Sequence, residues 1–287
     1  MQDLPARLYR FRPRLTRRQQ AQSTTAAAAA VVVAIVATGL SFAGFLPAVA
    51  GLLLALGSLL AGAIAWFAIR QGFEAFRQPK EYRDALQLVA EGKRDAALER
   101  VQAAITRIPS AFGPWTLRGM LLVESGEYEA GLAAYREAIT RQPEHWLGHS
   151  GAGGALLNLG RLPEAVESLG RALALGAIWP VPRYQLGLAL FLRGEYAGAA
   201  EAFGEALALG LETPNVQLVA RTLRAWALEH TGSLDAAREE QERARPLRSL
   251  DEVGAFRDRL RGARLSPVGK LAAWAVGVDT SDTPPKL

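Results

Sequence analysis

The chain has no cysteine and only three histidines in 287 residues. The first absence excludes disulfides, thiolate–metal sites, iron–sulfur clusters and a cysteine nucleophile. The second leaves little material for imidazole-based metal chemistry. Charge is missing from one long stretch: no Asp, Glu, Lys, Arg or His occurs between Arg18 and Arg70. A basic excess is missing from most of the rest. The formal charge is +5, yet residues 1–80 hold nine Lys/Arg against two acids, which leaves 24 basic and 26 acidic groups beyond them. A nucleic-acid-binding body would itself carry the excess, so no nucleic-acid partner is expected.

What fills the uncharged stretch is apolar. Ala26 to Ile69 is 44 residues of mainly Ala, Val, Leu, Ile, Gly and Phe. One crossing of a hydrocarbon core takes about 20 helical residues, so the run suits two helices rather than one. Pro47 marks the break, because it cannot continue a helix but suits the first turn of the next. The expected spans are residues 24–42 and 47–69, joined by a short loop as an antiparallel hairpin. Residues 1–23 form a basic leader and residues 70–80 a basic juxtamembrane linker. Both flanks are rich in arginine, so the positive-inside rule places both termini in the cytoplasm, at the inner (plasma) membrane of a bacterial-type cell. Small residues four apart, such as Gly39 with Ala43 and Ser58 with Gly62, allow close helix approach, and another membrane protein is a candidate partner for that surface. No ionisable residue lies inside the spans, so an anchor is expected rather than an ion or proton pathway. A cleaved signal peptide is disfavoured by the long leader and the second apolar run.

The remaining chain repeats itself every 34 residues. Gly92, Gly126, Gly160 and Gly194 form one series, and Ala85, Gly119, Gly153 and Gly187 another. Ala97, Gly131, Ala165, Ala199 and Ala104, Ala138, Ala172, Ala206 share the same period, and Pro109 and Pro143 close the first two units. A fifth unit follows a four-residue insertion, with Ala225, Leu228, Gly232, Leu234, Ala237 and Ala244. A fixed period of this length marks stacked helix pairs that share a continuous core. Expected first helices are 81–91, 112–125, 146–159, 180–193 and 216–231. Their partners are 94–107, 128–141, 162–175, 196–209 and 234–247.

The second unit, with Trp115, Gly119, Leu122, Gly126, Tyr128, Tyr135, Ala138 and Pro143, resembles the tetratricopeptide repeat (TPR) family most closely. The fourth adds Gly187, Leu190, Gly194, Tyr196, Phe203 and Ala206. Units three and four depart from the pattern, with Ala177 and Leu211 at the closing proline position. The expected fold is therefore all-α: a TPR-type α-solenoid of about five helix pairs over residues 81–249, capping helices over 250–278, and a disordered tail from 279, preceded by the transmembrane hairpin. Ser249–Arg261 has Leu250, Val253, Phe256 and Leu260 on one side. Val268–Val278 is expected to fold back on the array.

Catalytic patterns do not assemble. His145 and His149 are four apart, but Trp146 stands where a zincin helix has Glu, and two imidazoles make a poor metal site. Gly148-His149-Ser150-Gly151 lacks the closing glycine of a nucleophile elbow and follows no strand. Gly151-Ala152-Gly153-Gly154 fails the dinucleotide pattern. No catalytic residue, cofactor or metal is expected, and no enzyme.

In TPR proteins the concave surface is lined mostly by the first helices. The resemblance implies a protein-binding groove with Tyr82, Leu86, Thr116, Met120, Glu124, Ser150, Asn158, Tyr184, Leu188, Phe191, Trp226, Glu229 and His230 in the matching positions. Some TPR proteins clamp a terminal carboxylate with Lys, Arg and Asn; Asn158 alone among those types stands here. Aromatic and methionine side chains offer large contact area at small entropic cost, so an apolar segment of a partner protein is expected in the groove; the rival readings are that the chain's own C-terminal helices occupy it or that these residues are ordinary inter-repeat core. The function implied is a membrane-anchored scaffold or adaptor at the cytoplasmic face, in contact with the lipid bilayer. A periplasm-facing factor in envelope assembly and a regulatory subunit of a larger membrane complex are the alternatives.

Overall fold

The glycine of each 34-residue unit is the point from which the architecture is built. The computed structural model of the chain describes residues 79–261, 263 and 265–285. Gly92, Gly126, Gly160, Gly194 and Gly232 have φ between 74° and 83°, a region that only glycine occupies without strain. Each ends a helix in the same way. The N–H of the following residue donates to a leucine carbonyl five positions back: Lys93 to Leu88, Glu127 to Leu122, Arg161 to Leu156, Glu195 to Leu190 and Ser233 to Leu228. This is the Schellman closure, which satisfies carbonyls that a helix end would leave unpaired.

Twelve α-helices follow among the described residues, with no strand. They are α1 (Lys80–Ala90), α2 (Arg94–Arg107), α3 (Phe112–Glu124), α4 (Tyr128–Arg141), α5 (Trp146–Asn158), α6 (Leu162–Ala174), α7 (Pro180–Leu192), α8 (Tyr196–Ala208), α9 (Pro214–His230), α10 (Leu234–Ala244), α11 (Asp251–Leu260) and α12 (Pro267–Ala275), with a 3-10 turn at Arg245–Ser249. The chain divides into two compact units, residues 2–93 and 94–287. The described part of the first is essentially α1, on which Tyr82 and Ala85 are buried. The leader, the two expected spans and most of the linker lie outside the described residues. Among the described residues no helix is long and apolar enough to cross a membrane.

In the second unit α3 packs on α4, α5 on α6, α7 on α8 and α9 on α10, and each second helix also packs on the first helix of the next pair. The first helices α3, α5, α7 and α9 additionally meet one another in sequence. A layer whose members touch each other is the inner layer of a curved stack, so these four helices line the concave side. Small residues permit the approach. A Cβ on Gly187 would stand 2.7 Å from the Phe203 ring, and one on Gly153 would stand 2.6 Å from Leu169.

A second repeated device joins the pairs. Trp115 Nε1 donates to the Pro109 carbonyl at 3.0 Å, His149 Nε2 contacts the Pro143 carbonyl at 2.8 Å, Arg183 donates to Ala177 at 2.8 Å and Gln217 to Leu211 at 2.5 Å. The four side chains are 34 apart and so are the four carbonyls. Trp, His, Arg and Gln share only an N–H within reach, and the acceptor is the same whether or not the unit closes with proline. His149 is thereby occupied at its outer nitrogen.

The insertion is one extra helical turn. The carbonyl device keeps its spacing of 34 through Gln217, whereas the closing leucine Leu228 is 38 after Leu190. The four added residues therefore lie within α9, which has 17 residues where α3, α5 and α7 have 13. Helix α9 starts at Pro214, not 216, 34 residues after the α7 start at Pro180, and proline suits the first turn because it needs no N–H partner there. The partner helix stops at Ala244, not 247, and Pro246 turns the chain into the 3-10 segment. In α11 Val253 is fully buried, but Leu250 stands 40% exposed, outside the packed side assigned to it from the sequence.

Candidate concave binding groove

The inner faces of α5, α7 and α9 carry most of the groove positions expected from the sequence, and the structure divides those positions into three groups. Thr116, Ser150, Leu188 and Phe191 are buried, at 1%, 6%, 2% and 4% exposure. Thr116 donates to the Gly113 carbonyl at 2.8 Å. Leu188 and Phe191 belong to the same buried cluster as Leu271, Ala272 and Ala275 of α12. Met120, Glu124, Asn158, Tyr184, Trp226 and Glu229 are half-buried and His230 is exposed. Tyr82 and Leu86 lie on α1, in the other compact unit.

The half-buried positions form two features. Glu124, near the end of α3, faces Arg94 at 3.6 Å. Burial raises its carboxyl pKa above the usual range, and the arginine opposes that shift. Further along runs a ladder of rings. Phe191 meets Tyr196 edge-on at 5.4 Å, Tyr196 meets His230 at 5.0 Å, His230 stacks on Trp226 at 4.5 Å, and Trp226 meets Trp274 at 5.3 Å and 85°. Aromatic pairs in such offset and edge geometries gain energy beyond their buried area. The ladder connects α7, α8, α9 and α12. Tyr184 turns instead toward Phe203, 6.0 Å away, and burial pushes its phenol pKa upward.

Asn158 is fully engaged. Its Nδ2 donates to the Gly154 carbonyl at 2.9 Å and its Oδ1 accepts from Ser266 Oγ at 2.7 Å. Ser266 in turn caps α12, accepting from the Gly269 N–H at 3.2 Å. Helix α12 packs on both α5 and α9, with Leu271, Ala272, Ala273 and Ala275 buried. The chain's own C-terminal helix therefore sits in the groove. Arg257 of α11 secures its end by donating to the Val276 carbonyl at 2.7 Å, and the Trp274 indole donates to the Ser281 carbonyl at 2.9 Å.

The role of Tyr196, Ser266 and Trp274 at this site was not visible from the repeat. Tyr196 reads there as a turn-side repeat residue, and the other two lie outside the repeated positions. The signal at Ser266-Pro267 was local: a capping residue followed by proline opens a helix.

His145 and His149 each make a local hydrogen-bond contact in the repeat. His145 Nδ1 accepts from the Leu147 N–H at 3.2 Å, and its ring lies 4.4 Å from Phe112. No cluster of three or more metal-ligating side chains occurs among the described residues. Burial lowers the His145 pKa, and only the neutral ring can accept at Nδ1. An unfolded chain then binds more protons than the folded one just below the ordinary histidine range, so stability falls as pH drops through that range. A melting series from pH 7.5 to 5 is expected to show this decline, and His145→Asn, which keeps a cap acceptor, is expected to flatten it. An unchanged slope would remove His145 as the cause.

The tetratricopeptide repeat family model matches residues 116–180 and 184–252. No curated protein matches the sequence. Among solved structures, MamA (residue 41 to the end) from Desulfovibrio magneticus RS-1 is 17% identical, with 65% of this chain and 99% of that chain covered and a TM-score of 0.51. MamA of strain AMB-1 is 18% identical, with coverages of 59% and 98% and a TM-score of 0.50. A thermophilic repeat protein of Thermus thermophilus is 25% identical, with coverages of 63% and 97% and a TM-score of 0.48. The two MamA likenesses are of fold.

Proposed function

We propose a function from one premise, that the helix pairs matched by the tetratricopeptide repeat model over residues 116–180 and 184–252 form a protein-binding array. The chain is a scaffold that binds a partner protein through the concave faces of α5, α7 and α9. The observation that carries this reading is that the surface already accepts a helix, α12, through one buried leucine, a tryptophan pair and a single side-chain hydrogen bond. A groove with these properties suits an amphipathic helical segment.

The scaffold works at a membrane. The uncharged stretch Ala26–Ile69, flanked by arginine, supports a two-helix anchor with both ends in the cytoplasm. Anchoring confines the groove to the surface where a membrane-associated partner assembles. Fractionation checks this half of the reading. After lysis without detergent, the full chain is expected in the high-speed pellet, and a chain lacking residues 24–69 in the supernatant. Full-length protein that stays in the supernatant would end the membrane proposal and leave the groove untouched.

A further inference from the structure

Helix α12 lies where an external segment would lie, but it fits incompletely. Of its four buried residues, three are alanine. On α9, Trp226 Nε1 and Thr222 Oγ1 are buried without a hydrogen-bond partner. A buried polar group left unpaired is a standing cost that a better-matched occupant removes. Beside Trp274 a cleft of about 470 Å³ stays open between α9, α10 and the 3-10 turn. The helix is only nine residues long.

We infer that α12 is a built-in plug of the groove, and that the partner's segment takes its place. That segment is a short amphipathic helix with bulkier apolar side chains where α12 has alanine, and with a hydrogen-bond acceptor for the Trp226 indole N–H and the Thr222 hydroxyl. The inference rests on the groove reading given under the proposed function. It adds that the groove is closed at rest and that partner binding and α12 docking exclude each other.

The test uses the full chain and a fluorescent synthetic peptide of residues 265–279. Because the chain has no cysteine, Asn158→Cys with Ser266→Cys places the only two thiols at the contact between α5 and α12, where their oxidation locks α12 in place. The Leu271→Ala/Trp274→Ala chain, whose own plug is weakened, is expected to bind the peptide at least tenfold more tightly than the unsubstituted chain. The oxidised cysteine pair is expected to bind none, and reduction is expected to restore binding. Equal binding by the disulfide-locked and reduced forms would overturn the inference, as would no binding by the weakened-plug chain. A concentration-dependent dimer with exchanged α12 would also overturn it, in favour of a swapped assembly. Partner capture that depends on Trp226 but ignores the lock sinks the plug alone. Capture that ignores both sinks the groove reading as well.

Discussion

Glu240→Ala is expected to lower the unfolding free energy by about 3 kcal/mol. The carboxylate is 4% exposed and is held by Arg221 at 2.7 Å, Arg224 at 2.6 Å and Arg243 at 3.3 Å. Removing it strands guanidinium groups that were brought together only to meet it. The arginines keep partial access to water, at 20%, 28% and 53% exposure, which places the loss at the lower end of the range for broken buried pairs. The cluster joins α9 to α10, and Arg224 also donates to the Ala200 carbonyl of α8 at 3.2 Å. Thr222 and Trp226 lie on the same turns of α9, so a loosened cluster also disturbs the groove. Chemical denaturation measures the loss. Replacing Glu240, Arg221 and Arg224 together by Leu and Met is expected to recover most of it, because the attraction inside such a cluster largely offsets the cost of taking its charges out of water. A Glu240→Ala chain as stable as the original would show that the cluster contributes nothing.

Gly151→Ala is the second large effect. Alanine ordinarily favours a helix over glycine by about 1 kcal/mol, but here the added Cβ would stand 2.2 Å from Tyr135 Cε1 and 2.3 Å from Cζ. The ring cannot retreat. It is 7% exposed, and a Cβ on Gly119 would already lie 2.9 Å from its other edge. Tyr135 of α4 is thus clasped between α3 and α5, and the substitution must push two first helices apart. Overpacking of this kind costs about 1–3 kcal/mol, enough to outweigh the propensity gain and lower the melting temperature by several degrees. Gly170→Ala is the control. It is an exposed helix position with no atom near the added Cβ, and it is expected to stabilise by about 0.5–1 kcal/mol. A Gly151→Ala chain stabilised to the same degree would contradict the clasp.

The repeat architecture was legible because it depends on local, periodic requirements. A glycine must take positive φ at each helix end, and a leucine carbonyl must wait five residues before the next N–H. The carbonyl device was hidden because Trp115, His149, Arg183 and Gln217 share no residue type, only a donor at the right reach. The insertion was visible as four residues, yet only the structure places it within α9 as an added turn. The groove was legible in outline and less so in detail. Leu188 and Phe191 match the inner-helix pattern but lie buried in the cluster that includes α12. The plug itself turns on a contact between Asn158 and Ser266, 108 residues apart, and no local pattern encodes a contact over that distance.

Photo-crosslinking in intact cells tests the groove most directly. A crosslinking residue at position 226, on the inner face of α9, is compared with one at exposed Glu201 on α8. Position 226 is expected to yield a discrete adduct with a partner protein, while position 201 yields none. Adducts of equal strength from both positions, or from position 201 alone, would contradict a concave binding surface.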